Sequence, residues 1–292
     1  MKPVFAKILN DSKEEVFLTR LIERPFFSTE FHFHMECQMN YVLKSSGYKV
    51  IGDCIDNFEA GELTFLGSDI PHVWHNNDLD CGSSAETGEH ARSFTLFFNP
   101  DKLTGLLANF YNTNKLEQVL QNSKRGMKFY GKTKDQLKTL LFKIADEEGA
   151  AKLILLLELL QILCTTNEYT LLASVGYVNT YQTRDNERID KVFKYLFSNF
   201  SGEIKLNDVA SIANMNKQAF CRFFKARTQK TLVEFINEIR IAHAIKLMSA
   251  DGGNIGSIAY KCGYNSISNF NKFFRLVTKK TPSEFKKQFT QN

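Results

Sequence analysis

Long apolar runs are missing from this chain. The longest, Leu153 to Leu157, stops at Glu158, far short of the roughly 20 residues that span a bilayer; a membrane-spanning helix is not expected. The opening MKPVFAKILNDSKEE lacks an apolar stretch followed by a small-residue cleavage site, so no secretory signal is expected either. Paired cysteines are missing too. Cys37, Cys54, Cys81, Cys164, Cys221 and Cys262 are scattered with no CxxC, which reads as reduced thiols of a cytoplasmic protein and not as a disulfide framework. No glycine loop ending in Lys-Ser or Lys-Thr cradles a phosphate. GSSAETGEH at 82–90 has glycines without that ending and reads as a mobile loop. No nucleophile stands beside a base. An enzyme is therefore not expected, and no catalytic residue, cofactor or metal is assigned.

What the chain does hold is uneven charge. Its 292 residues suit about two domains. Residues 188–292 carry 18 Lys+Arg against 7 Asp+Glu, a net of +11, while residues 1–187 carry 19 against 25, a net of −6. The modest overall +5 hides a basic C-terminal third, which suggests a polyanion partner for that part alone.

Pattern changes along the chain as charge does. Up to residue 98, FFSTEFHFH, MNYVLK, YKVIG, LTFLG and SFTLFF read as short strands, as in a sandwich or small barrel. From Asp101 to about Ala173 the apolar spacing turns helical, in LTGLLANFY, KLEQVLQ, TKDQLKTLLFKIADEE and GAAKLILLLELLQILC. The last of these is apolar over too wide an arc for a simple surface helix, which suits either burial in its own domain or a subunit interface. SVGYVNTYQTRDNE at 174–187 reads as a linker. Everything from Arg188 reads as helices.

Within that helical end the chain repeats itself. FFKARTQKTLVEF at 223–235 and FFRLVTKKTPSEF at 273–285 share seven of thirteen positions without a gap. Phe220, Phe223 and Phe224 fall on one stripe of a helix, as do Phe270, Phe273 and Phe274. Each copy then turns into Thr-x-x-Glu, a capping box made by Thr231 with Glu234 and by Thr281 with Glu284. Pro282 suits the first helical position. A shorter helix and a turn precede each copy, LNDVASIA with Asn214-Met215-Asn216 and NIGSIAYK with Cys262-Gly263-Tyr264-Asn265. Gly263 suits a positive φ, and Ala210 and Ala259 let two helices cross closely. This describes two helix-turn-helix units.

Opposite the Phe stripes lie Lys217, Gln218, Cys221, Arg222 and Lys225 in one unit, and Ser266, Ser268, Asn271, Lys272 and Arg275 in the other. Arg and Lys can read guanine, and Gln and Asn adenine, in a major groove. Thr231 to Met248 reads as a connecting helix, which at 1.5 Å per residue spans about 27 Å. Neighbouring major-groove segments recur about every 34 Å. One chain could thus hold two turns of double-stranded DNA.

These residues resemble the DNA-binding domain of AraC/XylS-type transcription regulators. The resemblance rests on Arg240, Ala244 and Leu247 and on IAYKCGYNSISNFNKFFRLVTKKTPSEFK at 258–286. It implies reading positions at Gln218, Cys221, Arg222, Ser268, Asn271 and Lys272. In the front half, FHFHMECQMNYVLKSSGYKVIGD and FEAGELTFLGSDIPHVWHN resemble the cupin barrel often found at the N-terminus of such regulators. His32, His34, Gln38, Tyr41, His72 and Trp74 are the candidate lining for a small organic effector. Metal-binding cupins have Glu where this chain has Gln38, and a neutral amide is a poor ligand there.

The expected fold is α+β. A cupin-like β-barrel (1–98) carries a helical extension that serves a homodimer (99–173). After the linker (174–187) comes an all-α domain with two helix-turn-helix units (188–292). The expected function is a cytoplasmic, effector-controlled transcription regulator that contacts RNA polymerase. The alternative is a cupin metalloenzyme of dioxygenase or isomerase type with a DNA-binding tail.

Overall fold

Alternating and β-branched segments pair into sheets here, and segments of helical period cover them. A computed structural model describes residues 16–24, 26–27, 31–76, 91–179, 186–251 and 254–287. The loop reading at 82–90, Cys81 and linker residues 180–185 fall outside these. The chain divides near residue 180 into two compact units. Among the described residues no helix is long and apolar enough to cross a membrane, and the described cysteines are free thiols.

Among its described residues the N-terminal unit holds nine strands: β1 (Phe17–Arg24), β2 (Cys37–Lys44), β3 (Gly47–Ile51), β4 (Cys54–Phe58), β5 (Leu63–Leu66), β6 (His72–Asn76), β7 (Ala91–Phe98), β8 (Met127–Phe129) and β9 (Tyr169–Leu171). Helices α1 (Pro100–Leu107), α2 (Asn114–Ser123), α3 (Gly131–Asp146) and α4 (Gly149–Thr165) complete it. Six strands form one sheet in the order β1-β7-β2-β5-β8-β9, and β4-β3-β6 form a second.

The expected closed barrel is therefore corrected: the large sheet stays open, with β1 and β9 at opposite edges. The physical reason is that burial comes from a layer of helices instead of closure. Leu103, Leu116, Leu137, Leu141, Leu156 and Leu160 of α1 to α4 pack on Met39, Leu63, Phe65, Leu96 and Phe98 of the sheet. The helical stretch also contributes β8 and β9 to the sheet edge, which its helical period did not announce. FFSTEFHFH, expected as a strand, forms no continuous strand among its described residues and contributes isolated bridges, one of them between His32 and His72.

Strand alternation divides β2. Cys37, Met39 and Tyr41 face the helices, while Val42 joins Leu66, Ile51, Phe58 and Trp74 in a second core between the sheets. The C-terminal unit consists of α5 (Asn186–Asn199), α6 (Leu206–Ile212), α7 (Lys217–Thr228), α8 (Leu232–Asp251), α9 (Ile255–Lys261), α10 (Ile267–Thr278) and α11 (Pro282–Lys287). Its core is aromatic. Phe193 stacks on Phe235 at 4.9 Å, with Phe224 edge-on to Phe235 at 5.2 Å. In the second half Phe274 meets Phe270 and Phe285 at 5.5 and 5.6 Å.

Candidate nucleic-acid interface and histidine cluster

The repeated sequence makes the same hydrogen bonds twice. Thr231 N–H donates to Glu234 Oε2 at 2.7 Å and Glu234 N–H returns to Thr231 Oγ1 at 3.2 Å. Thr281 and Glu284 do the same at 2.8 and 3.2 Å. Accepting those amides holds both carboxyls below the usual glutamate range. Before each box the helix ends on a left-handed residue, Gln229 or Lys279. There Thr228 Oγ1 and Thr278 Oγ1 each donate back to the carbonyl of Phe224 or Phe274. The turns inside the two units match as well. Met215 N–H reaches Ala210 O at 2.9 Å and Tyr264 N–H reaches Ala259 O at 3.1 Å. Asn214 takes positive φ in the first turn and Gly263 in the second.

These caps set the faces of α7 and α10. Phe220, Phe224, Phe270 and Phe274 are fully buried, while Phe223 and Phe273 are half-buried. Lys217, Gln218, Cys221, Arg222 and Lys225 are exposed, and so are Ser268, Asn271, Lys272 and Arg275; Ser266 is half-buried at the cap of α10. Asn216 caps α7 by accepting from Ala219 N–H at 2.8 Å.

Sequence reasoning missed the clamp that fixes the second unit on α8. Arg240 donates from Nε to Phe200 O at 2.7 Å and from Nη2 to Gly202 O at 2.8 Å, with its guanidinium 5.4 Å from the Tyr264 ring. Tyr264 OH donates to Asn237 Oδ1 at 2.8 Å. Arg240 counted as a family marker, yet its work is internal. Its partners lie about forty residues upstream, where no local pattern points.

In the N-terminal unit the rings of His32, His34 and His72 converge. Centroids lie 4.4 Å apart for His32–His72, 5.1 Å for His34–His72 and 6.0 Å for His32–His34. His72 Nδ1 donates to Ile70 O at 2.8 Å, and its buried Nε2 has no hydrogen-bond partner among the described residues. His34 Nδ1 meets Glu36 O at 2.8 Å and its Nε2 meets Gln38 Oε1 at 3.0 Å. Burial lowers the pKa of His34 and holds that of His72 well below the usual imidazole value, so both rings are neutral near neutral pH. Trp74 packs edge-on to His72 at 5.6 Å.

Gln38 thus joins the histidines, but Tyr41 does not. It lies on the helix side of β2, against Phe142 at 6.0 Å and Lys138 at 5.4 Å, because odd and even positions of a strand face opposite ways. The residues missed are those next to Gln38 on its own face. Asn40 pairs in register with Thr64 and Thr95, all three buried. Thr95 Oγ1 donates to Asn40 Oδ1 at 2.8 Å, while Thr64 Oγ1 has no hydrogen-bond partner among the described residues.

Residues 209–288 match the family described as helix-turn-helix domain. YdeC of Bacillus subtilis, named an uncharacterized HTH-type transcriptional regulator, is 26% identical over 102 residues, 35% of this chain and 35% of that protein. The HTH-type transcriptional activator RhaR of Mannheimia succiniciproducens is 20% identical over 279 residues, 92% of this chain and 91% of that protein. A solved transcriptional regulator from Chromobacterium violaceum, described by its AraC-type DNA-binding domain, is 21% identical. That comparison covers 36% of this chain and 88% of the other at a TM-score of 0.34.

Proposed function

We propose that the chain is a sequence-specific, DNA-binding transcription regulator of the AraC type controlled by a small effector, on the premise of the helix-turn-helix domain matched at residues 209–288. One observation carries the reading. Two helix-turn-helix units followed by matching Thr-x-x-Glu boxes present exposed Gln218, Arg222 and Lys225, and Asn271, Lys272 and Arg275, within a segment of net charge +11. At 20 residues, α8 is about 30 Å long, close to the rise of one DNA turn.

In this reading residues 188–292 grip two major-groove segments and residues 1–98 take up the effector. Helices in 99–173 hold a homodimer, and 174–187 link the two functions. The dimer is supported by Leu153, Ile154 and Leu157, which α4 leaves exposed beside its buried face. Contact with RNA polymerase and a cytoplasmic location follow from the regulator role. The effector reading rests on the buried polar cluster and on its link to the chain leaving the unit. Asp69 N–H donates to His34 O at 2.9 Å, and Asn179 Nδ2 donates to Asp69 O at 2.7 Å. A ligand held unequally by two arrangements of this loop shifts their balance. The relatives, named as transcriptional regulators, favour this reading over the alternative of a cupin metalloenzyme.

The test takes the duplex from footprinting the full chain on genomic DNA. Arg222→Ala is expected to weaken the specific duplex by about 1–3 kcal/mol. Lys225→Ala is expected to weaken all duplexes alike and reduce the salt slope by about 1. Normal binding of every duplex by both variants would remove α7 from the interface.

A further inference from the structure

We propose that Ile267 reads the 5-methyl group of a thymine close to an adenine read by Asn271, so that the two helix-turn-helix units of one chain recognise unlike base sequences. The inference deepens the regulator reading and rests on it. One exposed apolar side chain means little by itself. Here the repeat gives it weight.

The units correspond at a spacing of fifty residues. Buried Phe220 and Phe224 recur as Phe270 and Phe274, so the packed face is held constant. On the outer face the exposed cations Arg222 and Lys225 recur as Lys272 and Arg275. The first turn is where that face changes. Lys217 becomes Ile267, Gln218 becomes Ser268, and Cys221 becomes Asn271, all six of them exposed. Scaffold and cations are kept, and what differs lies where a recognition helix meets base edges, at its N-terminal end.

Ile267 is the first residue of α10 and is 43% exposed. Gly256 of α9 brings no side chain over it; a Cβ there would stand 3.5 Å from Ile267 Cδ1. An isoleucine can neither donate to guanine nor accept from cytosine or adenine, and pressed on any of these it would leave a polar base edge dry and unpaired. The thymine methyl is the one apolar group that the major groove presents. Asn271 follows four residues later on the same side of the helix, with its side chain about 5–6 Å away. An asparagine amide matches adenine N6 and N7. With base pairs about 3.4 Å apart, the two side chains reach bases within two pairs of each other. On α7 the same positions hold Lys217 and Cys221, which ask for neither group.

The probe is the duplex that the full chain protects on genomic DNA, remade with deoxyuridine in place of one thymine at a time. That change removes a methyl group from the DNA and leaves the protein untouched. Wild type is expected to bind about four-fold more weakly when one particular thymine is replaced, the worth of one buried methyl-sized group. Ile267→Ser loses nothing further from that replacement, whereas Lys217→Ser, at the matching place in α7, keeps the effect. Within two base pairs of that thymine, 7-deazaadenine in place of one adenine weakens wild type and not Asn271→Ala. Should Ile267→Ser lose helix by circular dichroism, Ile267→Lys, which copies α7, is scored instead. A wild type indifferent to every thymine methyl, or a folded Ile267 variant that still feels its loss, overturns the inference and leaves the regulator reading standing on the protected duplex. If no duplex is protected at all, the regulator reading falls and takes this inference with it.

Discussion

Gly263→Ala tests the packing of the second helix-turn-helix turn. Gly263 has φ of +82°, and a Cβ built there would lie 2.6 Å from Ser201 O, 2.8 Å from Ser201 C and 3.0 Å from Phe200 O. Those are backbone atoms of a loop that Arg240 holds by two hydrogen bonds, so the loop cannot simply step aside. The left-handed conformation costs an alanine about 1–2 kcal/mol, and overpacking adds about 1–3 kcal/mol. Together these give about 2–5 kcal/mol. Gly176→Ala is the control, because φ there is +81° yet nothing lies within 4 Å of the added Cβ; only the conformational part, about 1–2 kcal/mol, applies.

Urea unfolding can be followed by two probes. Trp74, the only tryptophan, reports the N-terminal unit, and far-ultraviolet circular dichroism reports the helices of both. With a slope of about 2 kcal/mol per molar urea, Gly263→Ala is expected to lower the midpoint of the helical transition by about 1 M or more and leave the Trp74 transition in place. Gly176→Ala moves the Trp74 transition and by less. Equal shifts for the two variants, or a wild-type helical midpoint for Gly263→Ala, would refute the steric argument.

Two further outcomes follow from buried or capping carboxylates. Glu62 Oε2 accepts from Lys49 Nζ at 2.7 Å and Lys128 Nζ at 2.9 Å, and Lys49 is only 1% exposed. Glu62→Ala should therefore cost about 3–5 kcal/mol in a Trp74-monitored melt, and Lys49→Met added to it should recover most of the loss; no recovery would place the damage elsewhere. Glu234 and Glu284 have folded pKa values below normal, so their stabilisation is present above the ordinary glutamate pKa and fades as pH falls through the depressed values. The double variant Glu234→Ala/Glu284→Ala should melt below wild type at about pH 7, with the gap closing in strong acid. A gap that persists there would count against the capping role.

The C-terminal unit was legible because its information is local. A capping box needs residues three apart, and a buried stripe needs residues four apart; Thr231–Glu234 and Phe220–Phe224 satisfy both within one turn of chain. Even there, the left-handed ends fall on Gln229 and Lys279, residues no turn rule selects, because the Thr228 and Thr278 hydroxyls gather the surrounding carbonyls. The Arg240–Phe200 bond is not legible at all, since a guanidinium names no partner forty residues away.

The N-terminal unit failed the same reading for a physical reason. Alternation in MNYVLK separates Met39 and Tyr41 from Gln38 and Asn40, and in most antiparallel sheets the polar half of such a pattern faces water. Here both faces are covered, by helices on one side and by the β4-β3-β6 sheet on the other, so Gln38, Asn40, Thr64 and Thr95 are all buried. Tyr41 was misplaced because burial alone does not say on which side a residue is buried. A face that had only to pack would hold Val or Ile, as Val42 does. Polar groups there are tolerated only when something meets them. Thr95 meets Asn40, but among the described residues Thr64 Oγ1 and His72 Nε2 have no hydrogen-bond partner, which is why neither the alternation nor the burial of this face could be read as ordinary packing.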